Sequence, residues 1–192
     1  MKYRLVLLGV TAILLPAMLH GAEPPAAQAG DSPAAETVQK PKQLPKADAK
    51  GWRPLFDGRS LTNWKPTNFG GEGEVYVKEG VVGFHMGNPL TGITWDGAEL
   101  PKVNYELAFE ARRVEGGDFF CALTFPYKDT HASLVLGGWG GAVTGMSSIN
   151  GYDASENETT DYYKFEKGQW YKVRLKVIAT PITAFIDDEQ LF

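Results

Sequence analysis

Residues 104–114 read NYELAFEARRV, and their alternation decides the fold class. Tyr105, Leu107, Phe109 and Ala111 fall on one side, Glu106, Glu110 and Arg112 on the other. Successive side chains of an extended strand point to opposite faces, so a period of two marks a strand with one dry and one wet face. The pattern returns at Trp170–Ile178, where Tyr171, Val173, Leu175 and Val177 alternate with Lys172, Arg174 and Lys176. Shorter strand patterns occupy Glu74–Lys78 and Val81–His85 (around the turn Glu79-Gly80), Asp118–Phe125, Ala132–Leu136 and Pro181–Asp187. In Asp118–Phe125 the spacing groups Phe119, Cys121, Leu123 and Phe125, with Gly116-Gly117 as the connection before it. No window of comparable length carries a 3.6 period. One-faced strands must cover each other's dry sides, which predicts an all-β sandwich of two antiparallel sheets.

The chain has 192 residues, a formal charge of -4 and a pI near 5.4. That length suits one domain with appendages. Without a basic face there is no footing for phosphate backbones, so nucleic acid is not an expected partner. Met1–Ala22 has the form of a secretory leader: Lys2 and Arg4 precede an apolar run from Leu5 to Leu19, and Gly21-Ala22 offers small residues for cleavage. An uncleaved anchor is the alternative, although the run is short for a bilayer span. The expected location is therefore secreted or periplasmic, with no membrane span in the mature chain. Cys121 stands alone and forms no intrachain disulfide. Glu23–Lys50 holds five prolines and seven alanines without apolar periodicity, which predicts a disordered linker. The folded domain is expected over residues 51–192. Asp187-Asp188-Glu189 reads as a turn, and Gln190–Phe192 starts a return strand, so the domain is expected to be incomplete at its C-terminus.

The longest polar interruption is LGGWGGAVTGMSSINGYDASENETTDY, residues 136–162. Loops concentrate functional groups because a rigid scaffold presents them to solvent. Its carboxylates, Asp153, Glu156 and Glu158, are the candidate catalytic groups; Glu156 and Glu158 share a face if the segment is extended. Candidate substrate-binding residues are Trp139, which glycines leave room around, Asn150, Tyr152, Asn157 and, from another segment, Trp95. Trp139 and Trp95 each have a second reading as core residues. Trp52, Trp64 and Trp170 lie beside periodic apolar residues and are expected in the core. Oxygen ligands in this loop are of the type that Ca²⁺ takes, but no EF-hand spacing is present. No zinc or nucleotide motif occurs, and no cofactor is expected. Of the histidines, His85 ends a strand pattern and His131 lies in the turn KDTH.

WRPLFDGRSLTNW (52–64), NYELAFEARRVEGGDFFCALTFP (104–126), GGWGG (137–141), NGYDASENET (150–159) and FEKGQWYKVRLKV (165–177) occur in an order that resembles the 3-keto-disaccharide hydrolase domain family. The resemblance covers residues 51–192. It implies a concanavalin A-like jelly-roll sandwich, a carbohydrate partner and cleavage of a glycoside whose sugar carries a ketone at C3.

Such a ketone acidifies the hydrogen on C2. A general base can remove it, the enolate can expel the C1 leaving group, and water can add afterwards. The chemistry requires a base, an enolate stabiliser and a proton donor. It does not require the spaced carboxylate pair of ordinary glycosidases. A non-catalytic, lectin-like sugar-binding module is the alternative on the same fold, which by itself does not choose between the two. The residues leave the sugar, the linkage and the oligomeric state open.

Overall fold

The computed structural model describes residues 1–9, 43–147 and 149–192. All its regular elements are strands: β1 (Lys2–Gly9), β2 (Trp52–Pro54), β3 (Trp64–Pro66), β4 (Val75–Lys78), β5 (Val81–Phe84), β6 (Ile93–Trp95) and β7 (Tyr105–Arg112). They continue as β8 (Cys121–Tyr127), β9 (Thr130–Gly138), β10 (Val143–Ser147), β11 (Asp161–Tyr162), β12 (Trp170–Val177), β13 (Ile182–Ile186) and β14 (Glu189–Gln190). No helix among the described residues is long and apolar enough to cross a membrane.

The larger sheet runs β14-β13-β12-β7-β1-β5-β4, with β2 added beside β1; the smaller runs β11-β10-β9-β8. A third, two-stranded sheet pairs β3 with β6. The alternation in β7 and β12 does what its period requires. Opposed in register, Leu107 with Leu175 and Phe109 with Val173 face inward. They join Leu123, Phe125, Leu134 and Leu136 of the smaller sheet in one apolar core. The expected all-β sandwich is what forms. A small apolar cavity of about 30 Å³ remains near Tyr3, Leu55, Trp64 and Phe125.

The opening segment is pinned by its aromatics. Leu55, Phe56 and Trp64 are buried, and the Trp64 indole N–H donates to the Leu55 carbonyl at 2.8 Å. Between them Asp57 Oδ1 accepts the backbone N–H groups of Arg59 and Ser60, which holds the carboxyl below its usual range, Ser60 contributing most and Arg59 next.

Several expectations are corrected. Alternation does not extend back to Phe119: β8 begins at Cys121, Phe120 is the fully buried ring, and Phe119 packs on the opposite face of the sheet against Ala122 and Val135. Phe120 donates its N–H to both Leu136 and Gly137 carbonyls, which sets the strand entry one residue out of phase. The Gly116-Gly117 connection joins two sheets, because β7 pairs with β12 and β1 whereas β8 pairs with β9. Trp170 is not a core residue. It precedes the inward-facing Tyr171 and therefore points out, 36 % exposed, under the Arg112 guanidinium at 5.0 Å. Trp52 is only half-buried, with the Lys2 ammonium 5.4 Å above it. At the end of the chain the turn is Asp187-Asp188 alone, both with positive φ, and Glu189 already pairs with Ile186.

Residues 2–9, inside the expected leader, form β1 and run parallel to both neighbours, pairing Leu107 with Tyr3 and Val82 with Leu7. The remainder of the leader and most of the expected linker, residues 10–42, lie outside the described residues. Residues 43–50 are attached to the domain: Leu44 packs on the core, and the Pro45 carbonyl accepts from Arg53.

Candidate functional site

Cross-strand register defines the outer face of the smaller sheet. Cys121, Leu123 and Phe125 of β8 point to the core, so Ala122 and Thr124 point away from it. Thr124 lies opposite Ser133 of β9, and Ser133 opposite Ser147 of β10. The result is a row of three hydroxyls across three strands. The Thr124 and Ser133 hydroxyls are 2.7 Å apart. Ser147 Oγ donates to Asp153 Oδ1 at 3.1 Å, which adds a carboxylate to the end of the row. His131, exposed, stands two residues before Ser133 and therefore on the same face.

The acidic loop is folded so that Asp153 can reach this row. Asn150-Gly151 makes a two-residue turn, with φ of 52° and 85°, inside a reciprocal pair of hydrogen bonds between Ile149 and Tyr152. Positive φ at both positions is what Asn-Gly tolerates best. Asn157 then ties the loop together. Its Nδ2 donates to the carbonyls of Met146 at 2.7 Å, Asp153 at 2.8 Å and Tyr152 at 3.3 Å. Its Oδ1 accepts from Thr159 N and Oγ1. Between these ties Ala154 is fully buried and packs on Ala122 and Val135 together with Phe69, Leu90 and Phe119. Phe69 is held by Glu72, whose Oε2 accepts the Phe69 and Gly71 N–H groups. Its carboxyl lies below the usual range, through its own N–H first and then those two.

The candidate residues thus separate into groups. Asp153 joins the hydroxyl row. Glu156 and Glu158 are exposed and lie in turns, the Glu156 N–H donating to the Asp153 carbonyl, so the extended geometry that would align them does not occur. Asn150 is the turn residue, the Asn157 amide is engaged within the loop, and Tyr152 is 58 % exposed. Trp95 belongs to another part of the fold: it packs edge-on against Trp64 at 5.1 Å and donates its indole N–H to Ala98. Trp139 is 45 % exposed and lies beside Phe119, with ring centroids 5.6 Å apart. Five steps of β9 lead from Gly138 to Ser133, roughly 17 Å of strand at about 3.4 Å each. Part way along it Val135 belongs to the apolar patch on which both Phe119 and Ala154, the neighbour of Asp153, pack.

Thr124, Ser133, Ser147 and Phe119 were not among the sequence candidates. Small polar residues inside strands carry no signal until register aligns them, and register depends on partners distant in sequence. On the outer face of the larger sheet is a separate groove of about 510 Å³ beside Trp52, Glu110, Lys172 and Arg174, where charges of both signs alternate. Among the described residues no three His, Cys, Asp or Glu side chains converge as a metal site would require.

The profile of the 3-keto-alpha-glucoside-1,2-lyase-like domain, the 3-keto-disaccharide hydrolase family, matches residues 51–192. The chain belongs to this family. The match begins just before β2 and runs to the last residue, so it takes in the whole hydroxyl row, the Asp153 loop and the Phe119–Trp139 pair. Searches of curated proteins and of solved structures returned no match. Family membership ties the sandwich to carbohydrate chemistry.

Proposed function

We propose that this chain cleaves glycosides whose sugar is oxidised to a ketone at C3, by proton abstraction from C2, elimination of the C1 substituent and addition of water. Asp153 is the base. It takes the C2 hydrogen, the C–H electrons form the enolate, and collapse of the enolate places a double bond between C1 and C2 as the C1–O bond breaks. The leaving oxygen takes a proton from a neighbouring acid, for which His131 is positioned on the same face. Water then adds at C1, and C2 regains a proton.

The observation that carries this reading is the row Thr124–Ser133–Ser147–Asp153. Ser147 orients the carboxylate. The Thr124–Ser133 pair holds two hydroxyl protons and consumes one in its mutual bond, which leaves one to meet an oxyanion. A base beside an unspent donor is the minimum an enolisation needs. Trp139 serves as a platform for the apolar face of a sugar.

The test is incubation of the chain in D₂O with an α-glucoside disaccharide oxidised at C3. The released 3-keto sugar is expected to carry deuterium at C2, and the leaving sugar none. Release without deuterium would refute abstraction at C2, and binding with no release would favour the lectin-like module.

A further inference from the structure

Trp139 has φ of +44°, a left-handed conformation that bulky residues adopt only when their surroundings enforce it. The enforcing group is Asp118. Its Oδ1 accepts the N–H of Phe119 at 2.8 Å and the N–H of Gly140 at 2.8 Å. One oxygen atom thus fixes the backbone beside both members of the Phe119–Trp139 ring pair. The turn is closed from the other side at Gly141, where a Cβ would meet the Gly117 carbonyl oxygen at 2.1 Å, so only glycine lets the two loops approach.

Beneath them lies Arg113, 5 % exposed, its Nη2 donating to the Asp118 carbonyl at 3.2 Å. Its guanidinium is 5.7 Å from the Phe120 ring, and Nη1 is 3.7 Å from the Cβ position of Gly141. Nε is buried without a partner. A buried arginine with unspent donors costs free energy, so stability alone gives little reason for it. The position it supports is the aromatic pair at the rim.

We infer that Arg113 and Asp118 are positioning residues that display Phe119 and Trp139 as one paired platform for the apolar face of a sugar, beside the Ala122–Val135–Ala154 patch that adjoins Asp153. The inference rests on the proposed sugar-binding role of Trp139. Arg113 sets the Asp118 backbone, Asp118 sets Gly140, and Gly140 sets the neighbouring Trp139 ring against Phe119. Neither positioning residue touches the sugar.

The test compares the full chain with Asp118→Ala, Asp118→Asn, Arg113→Lys and Trp139→Ala. Amide exchange at Gly140, the Trp139 indole N–H signal, and KM and kcat on a C3-oxidised α-glucoside disaccharide are measured. In Asp118→Ala, Gly140 is expected to exchange about tenfold faster, as loss of one charge-assisted hydrogen bond implies. The Trp139 signal broadens, and KM rises several-fold while kcat stays within about twofold. Asp118→Asn keeps an acceptor oxygen and restores all of these; Arg113→Lys shows a smaller version of the alanine effect. Unchanged exchange in Asp118→Ala, or an asparagine variant as disrupted as alanine, overturns the relay. An unchanged KM in Trp139→Ala overturns the platform. The exchange measurement needs no sugar, so a wild-type chain without turnover would refute the elimination reading and still leave the relay decided.

Discussion

Ser147 Oγ donates to Asp153 Oδ1 at 3.1 Å, and through this contact a loop carboxylate becomes the end of a hydroxyl row that spans three strands. The bond occupies Oδ1, and Oδ2 is the oxygen proposed to abstract the proton. Replacing Asp153 by Asn should lower turnover of a C3-oxidised α-glucoside by about a hundredfold or more, the scale of general-base catalysis. Thermal stability should change by no more than about 0.5 kcal/mol, as for most surface positions. Ser147→Ala should cost about five- to tenfold, the worth of one orienting hydrogen bond. Glu156→Gln and Glu158→Gln should stay within about twofold of wild type. Steady-state kinetics with parallel melting curves would check all four.

Asn157→Ala should be a stability variant. Five contacts end on its amide, three donated and two accepted. At about 1 kcal/mol for each good bond, and less for the longest, the expected loss is about 2–3 kcal/mol. Urea unfolding would measure it, with the slope unchanged.

Acid should weaken the loops held by Asp57 and Glu72. Both carboxyls lie below their ordinary values of 3.8 and 4.5 in the folded chain. A depressed folded pKa contributes stability above the unfolded value and loses it as pH falls through the folded one. The window therefore opens near pH 4.5 and extends downward. Melting temperatures of the Asp57→Asn, Glu72→Gln double variant should fall less steeply below that pH than those of wild type, and identical slopes would count against the assignment.

Residues 2–9 cannot serve as a discarded leader and as β1 in the same molecule. In the full chain β1 separates β7 from β5, and Tyr3 is completely buried, edge-on to Tyr105 at 6.3 Å. Removing residues 1–22 should bare one edge of each neighbouring strand and open the core around Tyr105, Leu107 and Val82. Burial of Tyr3 alone represents about 1.5–3 kcal/mol. A chain of residues 23–192 should melt earlier and bind a hydrophobic dye, and a synthetic KYRLVLLG peptide should restore part of the loss. An unshifted melting temperature would mean that β1 contributes nothing to the sheet.

The sheets were legible to different degrees. Long alternating segments such as Tyr105–Arg112 and Trp170–Val177 carry their own period, and burial followed it residue by residue. Phe119 and Phe120 are both aromatic and adjacent, so composition alone does not say which faces the core; the carbonyls of Leu136 and Gly137 settle that by capturing the Phe120 N–H. Trp139 was visible as a candidate because the glycines beside it leave room around its ring. Asp118 was not, since its role is to accept an N–H twenty-two residues away.

By itself, then, the amino-acid order determined an all-β sandwich, the Asp153 loop and the family, because period, turn residues and motif order are local properties. Tertiary structure alone joined Asp153, of three nearby carboxylates, to Ser147, committed Asn157 to the loop, packed Trp95 against Trp64 and placed Thr124, Ser133 and Ser147 in one row. Those outcomes depend on strand register and on hydrogen-bond partners contributed from distant segments, and both exist only once the chain has folded.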